Sequence, residues 1–123
     1  MTTLLLLEDD LDCARMVGKL LKPHGFTVEH TTHGLPGLQI ARTSDPDIIL
    51  VDLNLPDING NVVIVQLRSV LRTRSLKTPI IAFTAETSDK AKRIAAALGC
   101  DGFLCKPIDT QMFRAQIEQY LTL

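Results

Sequence analysis

The sequence predicts a doubly wound α/β domain, a five-stranded parallel sheet with helices on both faces. Three observations carry that expectation. Short apolar runs recur at Leu4 to Leu7, Phe26 to Val28, Ile48 to Val51, Ile80 to Phe83 and Gly102 to Cys105. Segments with helical spacing of apolar residues lie between the runs and after the last one. The chain also alternates strand and helix without repeats or low-complexity linkers. Strands joined by helical segments of this length need crossover connections, so they lie parallel in one sheet with helices on its two faces.

Most of the runs are apolar at consecutive positions, as strands covered on both faces must be. The second is interrupted by Thr27 and reads as an edge. Ala14, Val17, Leu20 and Leu21 form the first helical stripe, opening after Asp10 and stopping at Pro23-His24-Gly25. Leu35 to Thr43 reads as a helix with Pro36 in its first turn, and it must end before Asp45-Pro46 because a residue before proline avoids the helical region. Val63, Leu67, Val70 and Leu71 mark the third stripe, after the turn-forming Pro56 to Gly60. Ser88 is placed to cap a fourth helix that runs through Ile94, Ala95 and Leu98 to Gly99. The last helix is expected to start near Asp109 and to bury Phe113, Ile117 and Leu121.

A chain of 123 residues with 46% hydrophobic and 22% charged residues suits one globular domain, 1–123, and excludes general disorder. A net charge of -1 offers no overall field for nucleic acid or an anionic membrane. The charges are unevenly spread, with nine acids against four bases in residues 1–60 and five against nine in 61–123. Cys13, Cys100 and Cys105 are odd in number and lack CxxC spacing, which argues against a disulfide framework or zinc site and fits a cytoplasmic setting. The run Leu4 to Leu7 is too short to cross a bilayer and is followed by acids, so it reads as neither anchor nor signal peptide.

In a doubly wound sheet the ligand site gathers beyond the carboxyl ends of the strands. Glu8, Asp9 and Asp10 follow the first run, Asp52 the third, Thr84 the fourth and Lys106 the fifth. Carboxylates that face one another disfavour their own ionisation, so such a group calls for a cation. An oxygen-only donor set with few protein ligands suits Mg²⁺, which commonly shares its shell with a phosphoryl group. Asp52 is then a candidate nucleophile, while Lys106 and Thr84 are placed to neutralise or hydrogen-bond phosphoryl oxygens.

These residues carry a resemblance. The acidic pair Glu8-Asp9, the segment Val51 to Gly60, the Phe83-Thr84-Ala85 step and the Lys106-Pro107 dipeptide together resemble the response-regulator receiver domain of two-component signalling, and the likeness runs from Leu4 through the final helix. It implies a flavodoxin-like (βα)5 fold with Asp52 as phosphoacceptor. Glu8, Asp9, Asp52 and the backbone carbonyl of Asn54 would hold Mg²⁺, and Lys106 would bridge to the phosphoryl group or to Asp52. Pro107 would follow a cis peptide, Thr84 would move toward the phosphoryl group, and Phe103 would reorient in response. Phe103 lacks the hydroxyl of the tyrosine found in some members. The implied partners are a sensor histidine kinase or histidine phosphotransfer protein and an unidentified downstream effector, with no direct nucleic-acid or membrane contact. The implied function is a phosphorylation-controlled switch rather than a turnover enzyme, with only self-catalysed phosphotransfer and dephosphorylation.

Other readings weigh less. A phosphohydrolase would need a general acid two residues beyond Asp52, where Asn54 stands. A binding module independent of phosphorylation would have no use for the acid, threonine and lysine set. A flavin or dinucleotide carrier is disfavoured by the lack of a glycine-rich phosphate loop. Glu86 is positioned in sequence to influence the lifetime of an acyl phosphate. Asp10 and Asp12 read as helix cap and first-turn acids, His24, His30 and His33 as surface or structural residues, and the cysteines as small buried groups. Arg68, Arg72, Arg74, Lys77, Lys90, Lys92 and Arg93 are expected on solvated helix faces.

Overall fold

The protein is described by a computed structural model covering residues 2–121. Five strands, β1 (Thr2–Leu7), β2 (Phe26–Thr31), β3 (Ile48–Asp52), β4 (Ile80–Thr84) and β5 (Gly102–Cys105), pair in parallel in the order β2-β1-β3-β4-β5. The helices are α1 (Leu11–Leu21), α2 (Gly34–Thr43), α3 (Gly60–Thr73), α4 (Asp89–Ala97) and α5 (Phe113–Leu121). A 3-10 turn, Lys22–His24, closes α1 and ends at Gly25, whose φ of 88° is a conformation glycine adopts without strain.

The sheet separates two cores. On one face Leu5, Leu7, Ile49, Val51, Ile80 and Ala82 meet α2, α3 and Ala95 of α4. On the other Leu4, Leu6, Ile48, Leu50, Ile81 and Phe83 meet Val17 and Leu21 of α1 and Phe113 and Ile117 of α5. Every residue of β3 and β4 is buried, which explains the unbroken apolar runs. The strand-end carboxylate of Asp52 and the hydroxyl of Thr84 are the departures, and both lie at the same edge of the sheet.

Two element boundaries differ from expectation. The second strand continues past Val28 to Thr31, because Glu29, His30 and Thr31 pair with Leu5, Leu6 and Leu7 despite their polarity. The last helix begins at Phe113. Asp109 instead organises a preceding turn, its carboxylate accepting from the Gln111 and Met112 amides at 3.0 and 3.3 Å.

The expectation of solvated basic faces also fails for two arginines on or beside α3. Arg68 donates to Gly99 O through Nε and Nη2 at 3.1 and 2.7 Å, and Nη2 lies 2.5 Å from the Asp101 carboxylate. That carboxylate also accepts from the Ile80 amide at 2.9 Å. Arg74 reaches Ala41 O, Ser44 O and Asp45 Oδ1 at 2.8, 2.5 and 2.5 Å, closing the C-terminal end of α2. Long guanidinium side chains can thus serve several carbonyls that helix ends leave open. Arg68→Ala is expected to destabilise the fold by about 1–3 kcal/mol, since it leaves the half-buried Gly99 carbonyl without its two guanidinium donors, whereas the half-exposed Asp101 carboxylate keeps its bond from the Ile80 amide. Exposed Arg72→Ala should change stability by less than about 0.5 kcal/mol, a contrast readable in urea unfolding.

Candidate functional site

The carboxyl ends of β1, β3, β4 and β5 bring the candidate residues together. Glu8 leaves β1 with its amide donating to Thr31 O at 3.0 Å, which carries the ladder one residue beyond the strand. Its side chain is fully buried, as is that of Thr84, and Asp52 is 4% exposed. Carboxylate oxygens of Glu8, Asp9 and Asp52 lie within 4.8 Å of one another, with Asp9 on the exposed side. Lys106, directly after β5, points its ammonium into this group, forming ion pairs with Glu8 Oε1 and, at 3.0 Å, with Asp52 Oδ2. The Lys106 backbone amide donates to Thr84 O at 2.8 Å, and the bond to Pro107 is cis, as the resemblance implied. The same ammonium lies 5.0 Å from the centre of the Phe83 ring, a second favourable contact for a partly buried cation.

Local hydrogen bonds fix the carboxylates. Asp52 Oδ1 accepts from the Asn54 amide at 2.8 Å, and Glu8 Oε2 accepts from the Asp10 amide at 3.2 Å. Asp10 is also the α1 N-cap, accepting from the Asp12 and Cys13 amides at 2.9 and 3.2 Å. Burial pushes the Glu8 carboxyl up to about 7, and its hydrogen bond with Asp52 adds to the rise; Lys106 and the Asp10 amide pull the other way. Burial also acts to raise Asp52, but hydrogen bonds from Glu8, the Asn54 amide and Lys106 outweigh it and hold Asp52 below the usual carboxylate range. Burial opposes the charge on Lys106, and the two carboxylates more than compensate, raising it.

The donor set fits a hard dication. Three carboxylates converge and two of them pair with one ammonium, the three offer only oxygen donors, and Glu8 Oε1 is a buried atom with no hydrogen bond beside its ion pair.

Thr84 lies one residue beyond the Asp52–Phe83 pairing on the neighbouring strand. Its hydroxyl accepts from the Glu86 amide at 3.1 Å, which leaves the hydroxyl proton available as a donor. The Glu86 carboxylate turns toward α4 and accepts from the Ser88 amide at 3.1 Å. Phe103 is not in the carboxylate cluster. It is half-buried on β5 opposite Ala82, with the Lys92 ammonium 5.7 Å from its ring centre.

Two contributors escaped the sequence reading. His30 Nε2 lies 2.7 Å from Glu8 O, so the histidine braces the segment that carries the acidic pair. Asp57 accepts from the Gly34 and Leu35 amides at 2.8 and 3.0 Å, capping α2, whose own cap position, His33, makes no side-chain bond. Those bonds hold the Asp57 carboxyl below the usual range, despite some opposing desolvation. Both contacts join residues more than 20 positions apart, and no local motif announces them. Cys13 is half-buried beside the cluster, and burial together with Glu8 pushes its thiol up to about 12, leaving little thiolate at neutral pH. Cys105 is exposed, contrary to the expectation that the cysteines are buried.

A parallel sheet of this order is the flavodoxin-like variety of doubly wound domain, with its site at the strand ends. The chain belongs to the response regulator receiver domain family, whose sequence model matches residues 4–118. The general function of that family is a phosphorylation-controlled switch in two-component signalling. The chain is 34% identical over 121 residues to the response regulator ArlR of Staphylococcus saprophyticus, covering 98% of this chain and 53% of that protein. It is 31% identical over 118 residues to the probable transcriptional regulatory protein SilR of Salmonella typhimurium, covering 96% of this chain and 50% of that one. The chain thus spans about half the length of these curated relatives. The chemotaxis protein CheY4 of Vibrio cholerae superposes with a TM-score of 0.89 at 28% identity, covering 98% of this chain and 99% of that one. The receiver domain of a Pseudomonas aeruginosa sensor histidine kinase superposes with a TM-score of 0.87 at 23% identity, covering 99% of this chain and 98% of that one; its structure has a magnesium ion coordinated in the active-site cleft.

Proposed function

We propose that residues 1–123 form a single receiver domain in which Asp52 accepts a phosphoryl group from a sensor histidine kinase or a histidine phosphotransfer protein. The observation that carries this reading is the meeting of the Glu8, Asp9 and Asp52 carboxylates, with the Lys106 ammonium paired to Glu8 and Asp52. Glu8, Asp9, Asp52 and the Asn54 carbonyl would hold Mg²⁺; a structural neighbour of the same fold has a magnesium ion coordinated in its active-site cleft. When bound, the ion offsets negative charge as the phosphoryl group approaches the carboxylates.

In the transfer an Asp52 carboxylate oxygen bonds to phosphorus as the bond from phosphorus to the donor histidine nitrogen breaks, giving an acyl phosphate. Lys106 is already within hydrogen-bonding distance of Asp52 and neutralises the added charge. Thr84 donates its hydroxyl proton to a phosphoryl oxygen, and Phe103 repacks in the space this motion opens. That repacking alters the surface read by a downstream effector protein or domain. Asn54 offers an amide where a phosphohydrolase would need an acid, so the chain is a phosphoacceptor with self-catalysed transfer and loss only.

In this reading the chain touches neither nucleic acid nor membrane directly: Arg68 and Arg74 are committed to backbone carbonyls. Among the described residues no helix is long and apolar enough to cross a membrane. Three unpaired thiols favour a cytoplasmic setting.

Incubation with a radiolabelled small acyl phosphate and Mg²⁺ tests the assignment. Wild-type protein is expected to take up base-labile label and Asp52→Asn none; equal labelling of the two overturns the assignment. Glu86→Ala is expected to shorten the lifetime of the label severalfold, because it removes the carboxylate that anchors the loop after Thr84 to Ser88. An unchanged decay rate would exclude a role for Glu86 in that lifetime.

A further inference from the structure

A groove outside the carboxylate cluster lies between α1 and the edge strand β2. It is an open groove of about 640 Å³. Its floor is apolar, made by Ala14, Gly18 and Val28, and its rim carries Arg15, Lys19 and Lys22. No carboxylate is among its lining residues. Arg15 has one acidic partner, Asp12, in a pair whose side chains are 69% and 91% exposed. Such a pair competes weakly with an incoming carboxylate. Lys19 and Lys22 are exposed, and the described residues give neither an ion pair.

Gly18 supplies an independent observation. Glycine inside a helix costs roughly 0.5–1 kcal/mol relative to alanine, a cost usually explained by a neighbour that leaves no room for a side chain. Here an added Cβ would meet only the flexible Lys22 side chain, at 3.4 Å or more, which is ordinary contact. Gly37 and Gly60, by contrast, have neighbours within 2.5 and 2.3 Å of that position. Packing therefore does not demand glycine at position 18; the Lys22 side chain lies over it, with Nζ 3.6 Å from where a Cβ would stand, and swings aside to open the floor to a ligand.

We propose that the groove between α1 and β2 docks an acidic amphipathic helix of a partner protein. Arg15, Lys19 and Lys22 fall at i, i+4 and i+7 along one side of the groove, the spacing at which a helix presents carboxylates beside an apolar stripe. The apolar stripe meets Ala14, Gly18 and Val28 while the carboxylates meet the three cations, the helix-in-groove mode of recognition. The surface lies outside the carboxylate cluster and does not include Asp52, although His30, which lines the groove, also contacts Glu8 O at 2.7 Å.

The test is an amide-shift titration of the full chain with a synthetic helical peptide of about 18 residues, above the length at which isolated helices are marginal. The peptide carries Glu at i, i+4 and i+7 beside a leucine stripe, and its control carries Lys in place of Glu. The expected result is shifts centred on Ala14, Gly18 and Val28, with no binding of the Lys peptide. Affinity is expected to fall about tenfold in the Lys19→Glu/Lys22→Glu double variant. Gly18→Leu, which fills the floor with its own side chain, is expected to abolish binding without lowering the melting temperature. Shifts on another face, equal binding of both peptides, or no shift at all would overturn the proposal. So would capture by phosphatidylserine vesicles through Lys19 and Lys22 without peptide binding, which would make the groove a membrane contact.

Discussion

Lys106→Ala is expected to cost the metal-free protein about 3 kcal/mol of stability near pH 8, the lower end of the range for breaking a buried ion pair because Lys106 retains some exposure. The deficit should shrink toward pH 5.5, and the sign follows from Glu8. Its carboxyl stands at about 7 in the folded protein against an ordinary 4.5. The unfolded chain therefore releases that proton first, and folded stability falls as pH rises from about 4.5 to about 7. Lys106 is one of the groups pulling Glu8 down, so its removal raises the carboxyl further. The variant then continues to lose stability above pH 7, where the wild type has levelled off. Asp52 has the opposite sign. Its depressed value stabilises the fold above the ordinary 3.8 and is lost only as pH falls through the folded value, below this window. Mg²⁺ at about 100 times its dissociation constant should return about 2.7 kcal/mol to the variant by linkage. Urea unfolding at the two pH values, with and without Mg²⁺, reads all of this. A deficit that ignores both pH and Mg²⁺ would mean that the ammonium does not offset the buried carboxylates.

Gly60→Ala is expected to be the most damaging small substitution beside the site, at about 3–4 kcal/mol, with greatly slowed labelling of Asp52. A Cβ at position 60 would lie 2.3 Å from Leu53 Cα and 2.8 Å from Asp52 O. Both are backbone atoms, so no rotamer change relieves the clash. The Gly60 amide donates to Leu53 O at 3.1 Å, and Asn59 both caps α3 and bridges to Asn54. Moving α3 away would therefore displace the segment that holds Asp52 and the Asn54 amide. Unchanged unfolding and labelling in the variant would mean that the turn yields far more easily than its contacts imply.

Alternating apolar runs and helical stripes were enough to infer the sheet and its five helices, because burial on both faces leaves β1, β3 and β4 almost no polar positions. The strand-end acids and Lys106 were legible as a set: the acids after β1 alone could simply favour the N-terminus of α1, but Asp52, Thr84 and Lys106 at the other strand ends have no such common reason. The polar half of β2 was not, because its order comes from pairing with β1 rather than from its own hydrophobicity. Nor were the partners of Arg68, Arg74, Asp57 and His30. Each reaches across a large sequence separation to at least one backbone group, and any residue type can supply a backbone group. Residue identity at the receiving end therefore carries no trace of those backbone contacts, and the acids that also pair with the two arginines, Asp101 and Asp45, lie 33 and 29 positions away.

The partition of the interior into two cores has a consequence for engineering. Val17 and Phe113 lie on one side of the sheet and Leu67 and Ala95 on the other, with the strand backbones between them. Stability changes from distant sites without shared partners add. Paired substitutions drawn from opposite sides should thus sum, whereas pairs within one side should interfere, so the α1/α5 layer can be redesigned while the α2–α4 layer is left as it stands.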